Sequence, residues 1–311
     1  MNLEQMRAFV EVARTGHFTR AAERLHLAQP SLSRQIATLE RDLGADLFHR
    51  ARGHISLTPA GETLLPIARR MLADAERVRR EMDELAGLRR GRVSLGATPT
   101  LCVSVVAEAI SAFRQAHPGI ELRLVESGSR TLVDRLAEGA IDFALLTTSV
   151  ADPASSLALS PLLTEELAVI SSAALPPVAD AALTLRELAE LPLIVFDESY
   201  DLRAATDQAF AEAGLAPRVV LEGAEMDAVL RFVERGIGVA VVPATVLAGR
   251  GGLRSVRLTD PRLTRTISLA HRGDVTPTRA AQAMRRTIIE TADAFAADGG
   301  VPDGFVTRAA S

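Results

Sequence analysis

The chain contains no lysine: all 35 of its basic residues are arginine. That excludes Schiff-base and pyridoxal-phosphate chemistry and the phosphate-binding lysine of a P-loop. Arginine still serves phosphate recognition through its planar fork. Cysteine is nearly absent too. Cys102 stands alone, so no intrachain disulfide framework exists, as suits a reducing compartment. Without a resolving partner, Cys102 reads as a small buried hydrophobe rather than a sensor thiol. The six histidines (His17, His26, His49, His54, His117 and His271) are scattered without zinc-ligand spacing, and there is no HExxH, GxSxG or CxxC. No catalytic group, metal or cofactor is expected. The richest apolar stretches, near 167–178 and 236–248, are broken by Ser and Pro, so no membrane span is expected. Glu4, Arg7 and Glu11 interrupt any leader-like apolar core, and the expected location is cytoplasmic.

What is present is unevenly spread. Residues 1–92 hold 16 Arg against 12 acidic residues, a net of +4, while residues 93–311 carry a net of −8. A basic front on an acidic body fits a nucleic-acid-binding head with a separate sensor. Within the front, FTRAAERLHLAQPSLSRQIATLERDL reads as two short helices joined by a tight turn. In the second, Leu32, Ile36, Leu39 and Leu43 share one face, and Pro30, Arg34, Thr38 and Arg41 the opposite one, with Ser33 on the flank. Pro30 suits a first helical turn. Thr19 is the candidate N-cap of the preceding helix, whose inner side is Ala21, Ala22 and Leu25. A first helix carries Leu3, Met6, Val10 and Ala13 on one stripe, with Phe9 beside them. Three such helices make a helix-turn-helix, although the pattern alone also suits a plain three-helix scaffold. Residues 48–57 follow as a hairpin with Gly53 near its tip, from which Arg50 and Arg52 would project to a phosphate or the minor groove.

The run MNLEQMRAFVEVARTGHFTRAAERLHLAQPSLSRQIATLERDLGADLFHR, followed by LTPAG, resembles the winged helix-turn-helix of LysR-type transcriptional regulators. The later GIGVAVVP segment matches the same family more loosely. The resemblance implies that Gln29, Pro30 and Ser33 approach base edges and that Arg34 and the wing arginines hold the backbone. The full candidate DNA-contacting set is Gln29, Pro30, Ser31, Ser33, Arg34, Thr38, Arg50 and Arg52.

Thr58 and Pro59 then start a long helix. Leu64, Ala68, Met71, Ala75, Val78, Met82 and Leu85 recur at four and three residues, a coiled-coil seam. From Thr58 to Leu88 the helix would run ~45 Å. A stripe this narrow reads as a dimer seam, with packing on its own chain the other reading. The family resemblance implies a homodimer or a tetramer built as a dimer of dimers. Gly87, Arg89, Arg90 and Gly91 read as a hinge.

From Arg92 the pattern alternates strand and helix, giving a mostly parallel sheet with helices outside. One helix is expected from Thr100 to about Gln115. A second unit spans about 162–266, with candidate strands at 167–171, 193–196, 219–222 and 237–241. Residues 267–270 and a helix from Pro277 to about Ala296 would return to the first unit. This resembles the two-lobed, periplasmic-binding-protein-like sensor of the same family, with two Rossmann-like subdomains. The expected division is a winged helix-turn-helix at 1–58, a dimerisation helix at 59–90 and an effector domain at 91–297. Within it, lobe I covers about 91–161 and 267–297, and lobe II about 162–266. The tail, 298–311, is expected to be frayed.

Ligands in open α/β sheets bind beyond the carboxyl ends of strands. Those positions hold Thr98, Thr100, Ser127, Ser129, Thr147, Thr148 and Phe196, with Tyr200 and Arg203 close behind. Thr98, Thr100 and Ser129 sit where helix N-termini favour an anion, and each also suits a simple cap. Arg203 could clamp an acid, but Asp197, Glu198 and Asp201 lie near it. The expected effector is therefore a small organic acid or an amphoteric metabolite. The sequence points to a transcriptional regulator that binds double-stranded promoter DNA under effector control. The other reading is a small-molecule-binding or catalytic α/β protein whose N-terminal helices only dimerise it.

Overall fold

The computed structural model describes residues 1–51, 54–85, 91–147, 157–179, 182–198, 200–298, 301 and 304–309. The chain divides into two compact units, Met1–Gly91 with Asp134–Ile141, and Arg92–Val133 with Asp142–Ser311.

The first unit begins with α1 (Leu3–Thr15), α2 (Phe18–Arg24) and α3 (Gln29–Leu43). Asn2 and Gln5 form a capping box that satisfies two orphan amides at the start of α1. The buried side of α1 is Met6, Ala8, Phe9 and Val12, turned from the expected stripe, and Leu3 is exposed. α1 is covered by α2 and α3 and also by the long fourth helix, so its core-facing surface is wider than one narrow stripe. α2 starts one residue before Thr19, with His17 as N-cap and no side-chain cap. Phe18 is drawn inward against Phe48, ring centroids 6.0 Å apart. Leu32, Ile36 and Leu39 are fully buried as the spacing predicted, while Leu43 stays exposed at the end of α3.

β1 (Phe48–Ala51) and β2 (His54–Leu57) form the antiparallel wing, and α4 (Pro59–Leu85) follows. Thr58 caps α4, accepting from the Gly61 amide at 3.1 Å and donating to the Asp46 carbonyl at 2.7 Å. Gly61 meets the wing so closely that a Cβ there would lie 2.3 Å from the Leu47 carbonyl oxygen. That contact explains the glycine of the LTPAG run. The seam of α4 divides in two. Ala68 is fully buried, and Leu64 and Met71 pack with it against the head's own core. Val78 and Met82 remain more than half exposed, and Ala75 is intermediate. The side chain of Leu85 lies outside the described residues.

The second unit opens with β3 (Arg92–Ala97), α5 (Pro99–Cys102), α6 (Val105–Ala116), β4 (Glu121–Glu126), α7 (Ser129–Ala137) and β5 (Phe143–Thr147). The helix expected from Thr100 breaks in two, because Ser104 leaves helical geometry and its hydroxyl turns back onto the Thr100 carbonyl at 2.8 Å. Next come β6 (Leu157–Ser172), β7 (Ala182–Thr184), α8 (Leu185–Glu190), β8 (Leu193–Phe196), α9 (Asp201–Glu212), β9 (Val219–Ala224), α10 (Met226–Glu234) and β10 (Ala240–Pro243). β11 (Leu253–Thr259), β12 (Thr264–Arg272), α11 (Arg279–Asp298) and β13 (Val306–Arg308) complete the chain.

Among the described residues the main sheet has nine strands, ordered β4-β3-β5-β12-β6-β11-β7, with β10 and β13 also on β6. It is mixed rather than mostly parallel. The β4-β3-β5 part is parallel, but β12 runs antiparallel to both β5 and β6, and β10 and β11 run antiparallel to β6. β6 and β12 are each longer than their apolar runs predicted because both lobes use them. The expected lobe borders at 161/162 and 266/267 thus fall inside continuous strands. β11 was not foreseen. Gly238 permits the start of β10 to lie against β8, since a Cβ there would sit 2.3 Å from the Pro192 carbonyl oxygen.

The tail also departs from expectation. Residues 306–308 pair with β6, the Phe305 carbonyl accepts from the Glu166 amide at 2.8 Å, and the Arg257 guanidinium stacks 4.4 Å from the Phe305 ring centre. An aromatic residue and a valine after the Gly-rich stretch bury enough apolar surface to hold this segment.

Candidate functional site

In the head, α3 presents its polar face outward. Gln29, Pro30 and Arg34 are exposed, and Ser31, Ser33 and Thr38 are partly so. Gln29 Nε2 donates to Ser33 Oγ at 3.1 Å, so these two side chains lie side by side across one turn. Thr38 is committed elsewhere, its hydroxyl donating to the Arg34 carbonyl at 2.9 Å. The N-cap of α3 is Ala28, which offers no side-chain acceptor; its carbonyl accepts the amides of Ser31 at 2.9 Å and Leu32 at 3.2 Å, and Pro30 has no amide proton. His26, at φ 54°, turns the chain between α2 and α3. The Leu27 amide then bonds back to the Ala22 carbonyl at 2.9 Å. Arg50 is less free than expected: its Nη2 donates to Glu40 at 2.6 Å and its guanidinium stands 5.7 Å from the Phe18 ring centre. Arg52, the other wing arginine, lies outside the described residues.

In the second unit a cleft of about 260 Å3 opens at the strand ends. Of the expected residues, Thr98, Thr100, Thr147 and Tyr200 line it. Ser129 lies at its edge, buried, donating to Asp201 Oδ2 at 2.9 Å and 3.5 Å from Thr147 Oγ1. Ser127 and Phe196 do not line it. Phe196 instead supports Tyr200, with rings stacked at 5.4 Å. Thr148 lies outside the described residues.

Arg203 turns away from the cleft. Its guanidinium is taken by Asp207 at 2.6 Å, Glu222 at 2.8 Å and the Phe196 carbonyl at 2.8 Å. It pins α9 to β8 and β9. The cation of the cleft is Arg265, which the sequence reading missed. Its Nε donates to Glu165 at 2.6 Å and its Nη2 to Thr100 Oγ1 at 3.0 Å. Glu165 is fully buried, and its other oxygen accepts the Thr245 amide at 3.1 Å. The missed acids are Glu126 and Glu225, which join Asp201 on the wall. Tyr200 donates its hydroxyl to Glu225. Burial, then that bond and the charges of Glu225 and Glu126, push the phenol pKa well up. Burial, and then the charge of Glu126, push the Cys102 thiol up to about 12.

The start of α5 does not make the expected anion site, since this helix has only four residues and begins with Pro99, which has no amide proton to offer. At the start of α7, the Ser129 hydroxyl donates to Asp201. No group of three or more metal-ligating side chains occurs among the described residues, and no helix there is long and apolar enough to cross a membrane.

Two family models match. Residues 3–62 fit the bacterial regulatory helix-turn-helix protein of the lysR family, and residues 86–293 fit the LysR substrate binding domain. The chain belongs to the LysR family. The HTH-type transcriptional regulator IlvR of Caulobacter vibrioides is 32% identical over 313 residues, covering 97% of this chain and 100% of its own. The nitrogen assimilation regulatory protein nac of Klebsiella aerogenes is 29% identical, covering 93% and 94%. Among solved structures, full-length OxyR from Pseudomonas aeruginosa superposes with a TM-score of 0.71 at 26% identity, covering 93% of this chain and 98% of its own. This LysR-type protein is therefore a DNA-binding transcriptional regulator with an effector-binding domain, and not an enzyme. The alternative of a catalytic α/β protein with a merely dimerising head falls with that assignment.

The acids and Arg265 were missed for a traceable reason. The strand-end rule that picked Ser127 reaches Glu126 one residue earlier, and applied to β9 it reaches Glu225. Arg265 gave no such signal, since it sits at the start of a strand.

Proposed function

We infer that α3 is the DNA-reading helix, with Gln29 and Ser33 facing base edges, Arg34 on the backbone, and Pro30, Ser31 and Thr38 framing the contact. The observation that supports this most directly is the Gln29–Ser33 pair on an exposed helix face beside an uncapped N-terminus. The wing adds backbone contact through Arg50 and Arg52. Residues 1–58 serve as the head and 59–90 as the linker. The exposed end of that linker, Val78 and Met82, joins a second copy in a homodimer or a dimer of dimers, since two heads supply the affinity that a net charge of +4 does not.

The domain from 91 to 297 senses a metabolite in the cleft at Thr98, Thr100, Thr147 and Tyr200, and the protein works in the cytoplasm. A ligand acts there only by preferring one lobe arrangement over another. The test is selection of binding sites from random duplex DNA by the full chain, followed by titration in rising salt. A defined consensus with steep salt dependence supports the reading. Binding that is absent, or that shows no sequence preference, defeats it.

A further inference from the structure

We propose that the effector of this regulator carries a protonated amine, and that the amine sits against Glu126, Asp201 and Glu225. The proposal rests on the reading of the cleft as the effector site and names the chemistry that site takes. Three carboxylates line the cleft, and none has an ion-pair partner among the described residues. Among the described residues, Asp201 accepts a neutral hydroxyl, from Ser129, and Glu225 the Tyr200 hydroxyl. Arg265, the one cation lining the cleft among the described residues, does not offset them, because its charge is already balanced by the buried Glu165 at 2.6 Å. An acid entering the cleft would meet three uncompensated negative charges and an arginine already engaged, so a simple carboxylate is disfavoured.

A second observation lies beside Glu126, whose partner in the β3–β4 ladder is Ala97, the residue before Thr98. Thr98 lines the cleft, is only 7% exposed, and its Oγ1 has no hydrogen-bond partner. A buried hydroxyl left unpaired costs free energy until something bonds to it. Beside it, Arg265 and Thr100 form a polar shelf. The Thr98 hydroxyl can accept from an ammonium group held by Glu126, so an amine-bearing metabolite, amino-acid-like or a polyamine, matches these acceptors. A dicarboxylate brings two further negative charges and no donor for them. The volume of about 260 Å3 suits a metabolite of this small size.

Calorimetry and thermal shift on the full chain test this with three matched probe series of equal carbon length: straight-chain diamines, α,ω-amino acids and dicarboxylates. L-arginine and L-lysine extend the set. Amine-bearing probes should bind and stabilise the protein, and dicarboxylates should not. Glu126→Gln combined with Glu225→Gln should weaken the amine series by about tenfold, the summed effect of two exposed ion pairs. Glu126→Gln alone, on an exposed residue outside any cap, guards against a folding defect in the double variant. Dicarboxylate binding without amine binding overturns the proposal. So does amine binding that both glutamine variants leave unchanged.

Gly128→Leu separates the two layers of the argument. Gly128 lines the cleft and has open space where a side chain would begin. If this variant blocks binding while the glutamine variants do not, the cleft is the site and its charge preference has been misassigned. If binding survives Gly128→Leu, the effector binds elsewhere and both readings fail.

Discussion

Glu40 and Arg50 form an ion pair of 2.6 Å that ties the end of α3 to the wing, with the acid 9% exposed and the base 51%. The second oxygen of Glu40 accepts the Leu47 amide at 3.0 Å. One buried carboxylate thus fixes where the wing leaves the helix. Glu40→Ala should destabilise the head by about 1–3 kcal/mol, because the Leu47 amide loses its partner. Arg50→Ala should cost less, about 1 kcal/mol or below, since half of that side chain is in water. A double-mutant cycle by thermal unfolding gives the coupling. Equal effects of the two single changes would show that the Leu47 bond carries no weight.

Base reading and backbone holding predict different outcomes. Gln29→Ala should change the selected consensus. Arg34→Ala should weaken all sites alike and lower the salt slope by about 1. Recovery of the parental consensus with Gln29→Ala would remove that residue from the reading set.

The free part of the α4 seam gives a clean assembly test. Met71 belongs to the head's own core, so charging it would unfold the head rather than split a dimer. Val78→Glu with Met82→Glu touches only exposed positions. Sedimentation should show smaller species with unchanged thermal stability of the head, and specific DNA binding should fall by tenfold or more, an order-of-magnitude figure for losing one of two linked sites. An unchanged oligomer places the interface elsewhere.

Cys102 should be a poor nucleophile. With its pKa at about 12, native protein at pH 8 should react slowly with a disulfide reagent and quickly after denaturation. Glu126→Gln should speed the native reaction, since the charge of Glu126 helps hold the proton on. The folded chain keeps this proton more tightly than the unfolded one, whose thiol titrates near 9.0. Stability contributed by this group is therefore full below pH 9.0 and is lost as the pH rises toward 12. Fast native labelling at pH 8 would contradict the assignment.

The close approach at Gly61 is equally testable. Gly61→Ala should cost roughly 1–3 kcal/mol by overpacking against the Leu47 carbonyl, read by thermal unfolding. A neutral substitution would mean that α4 can move off the wing.

The sequence was most informative where local rules decide structure. Leu32, Ile36 and Leu39 announced α3, and Thr58 with Pro59 the start of α4, because periodicity and capping are local. The mixed sheet was hidden because strand direction is set by pairing partners far along the chain. β12 shows only a short apolar run, yet it pairs with β5 on one side and β6 on the other. Arg203 and Arg265 show the same limit at the cleft. Both are arginines near polar residues, and only the three-dimensional neighbours, Glu222 and Asp207 for one, Glu165 and Thr100 for the other, decide which faces the ligand.

The antiparallel ladder of β6 and β12 slips its register between Ile267 and Ser268, so that Leu162 has no opposite number. The carbonyl of Leu162 is taken by the far end of the chain instead, by the Ala309 amide at 3.1 Å and by Arg308 Nη1 at 3.0 Å. β6 thus runs through both lobes, and the break in its ladder with β12 is clasped by the last strand. Lobes that share unbroken strands stay tethered, so any change in their relative orientation has to be taken up as strain within β6 and β12.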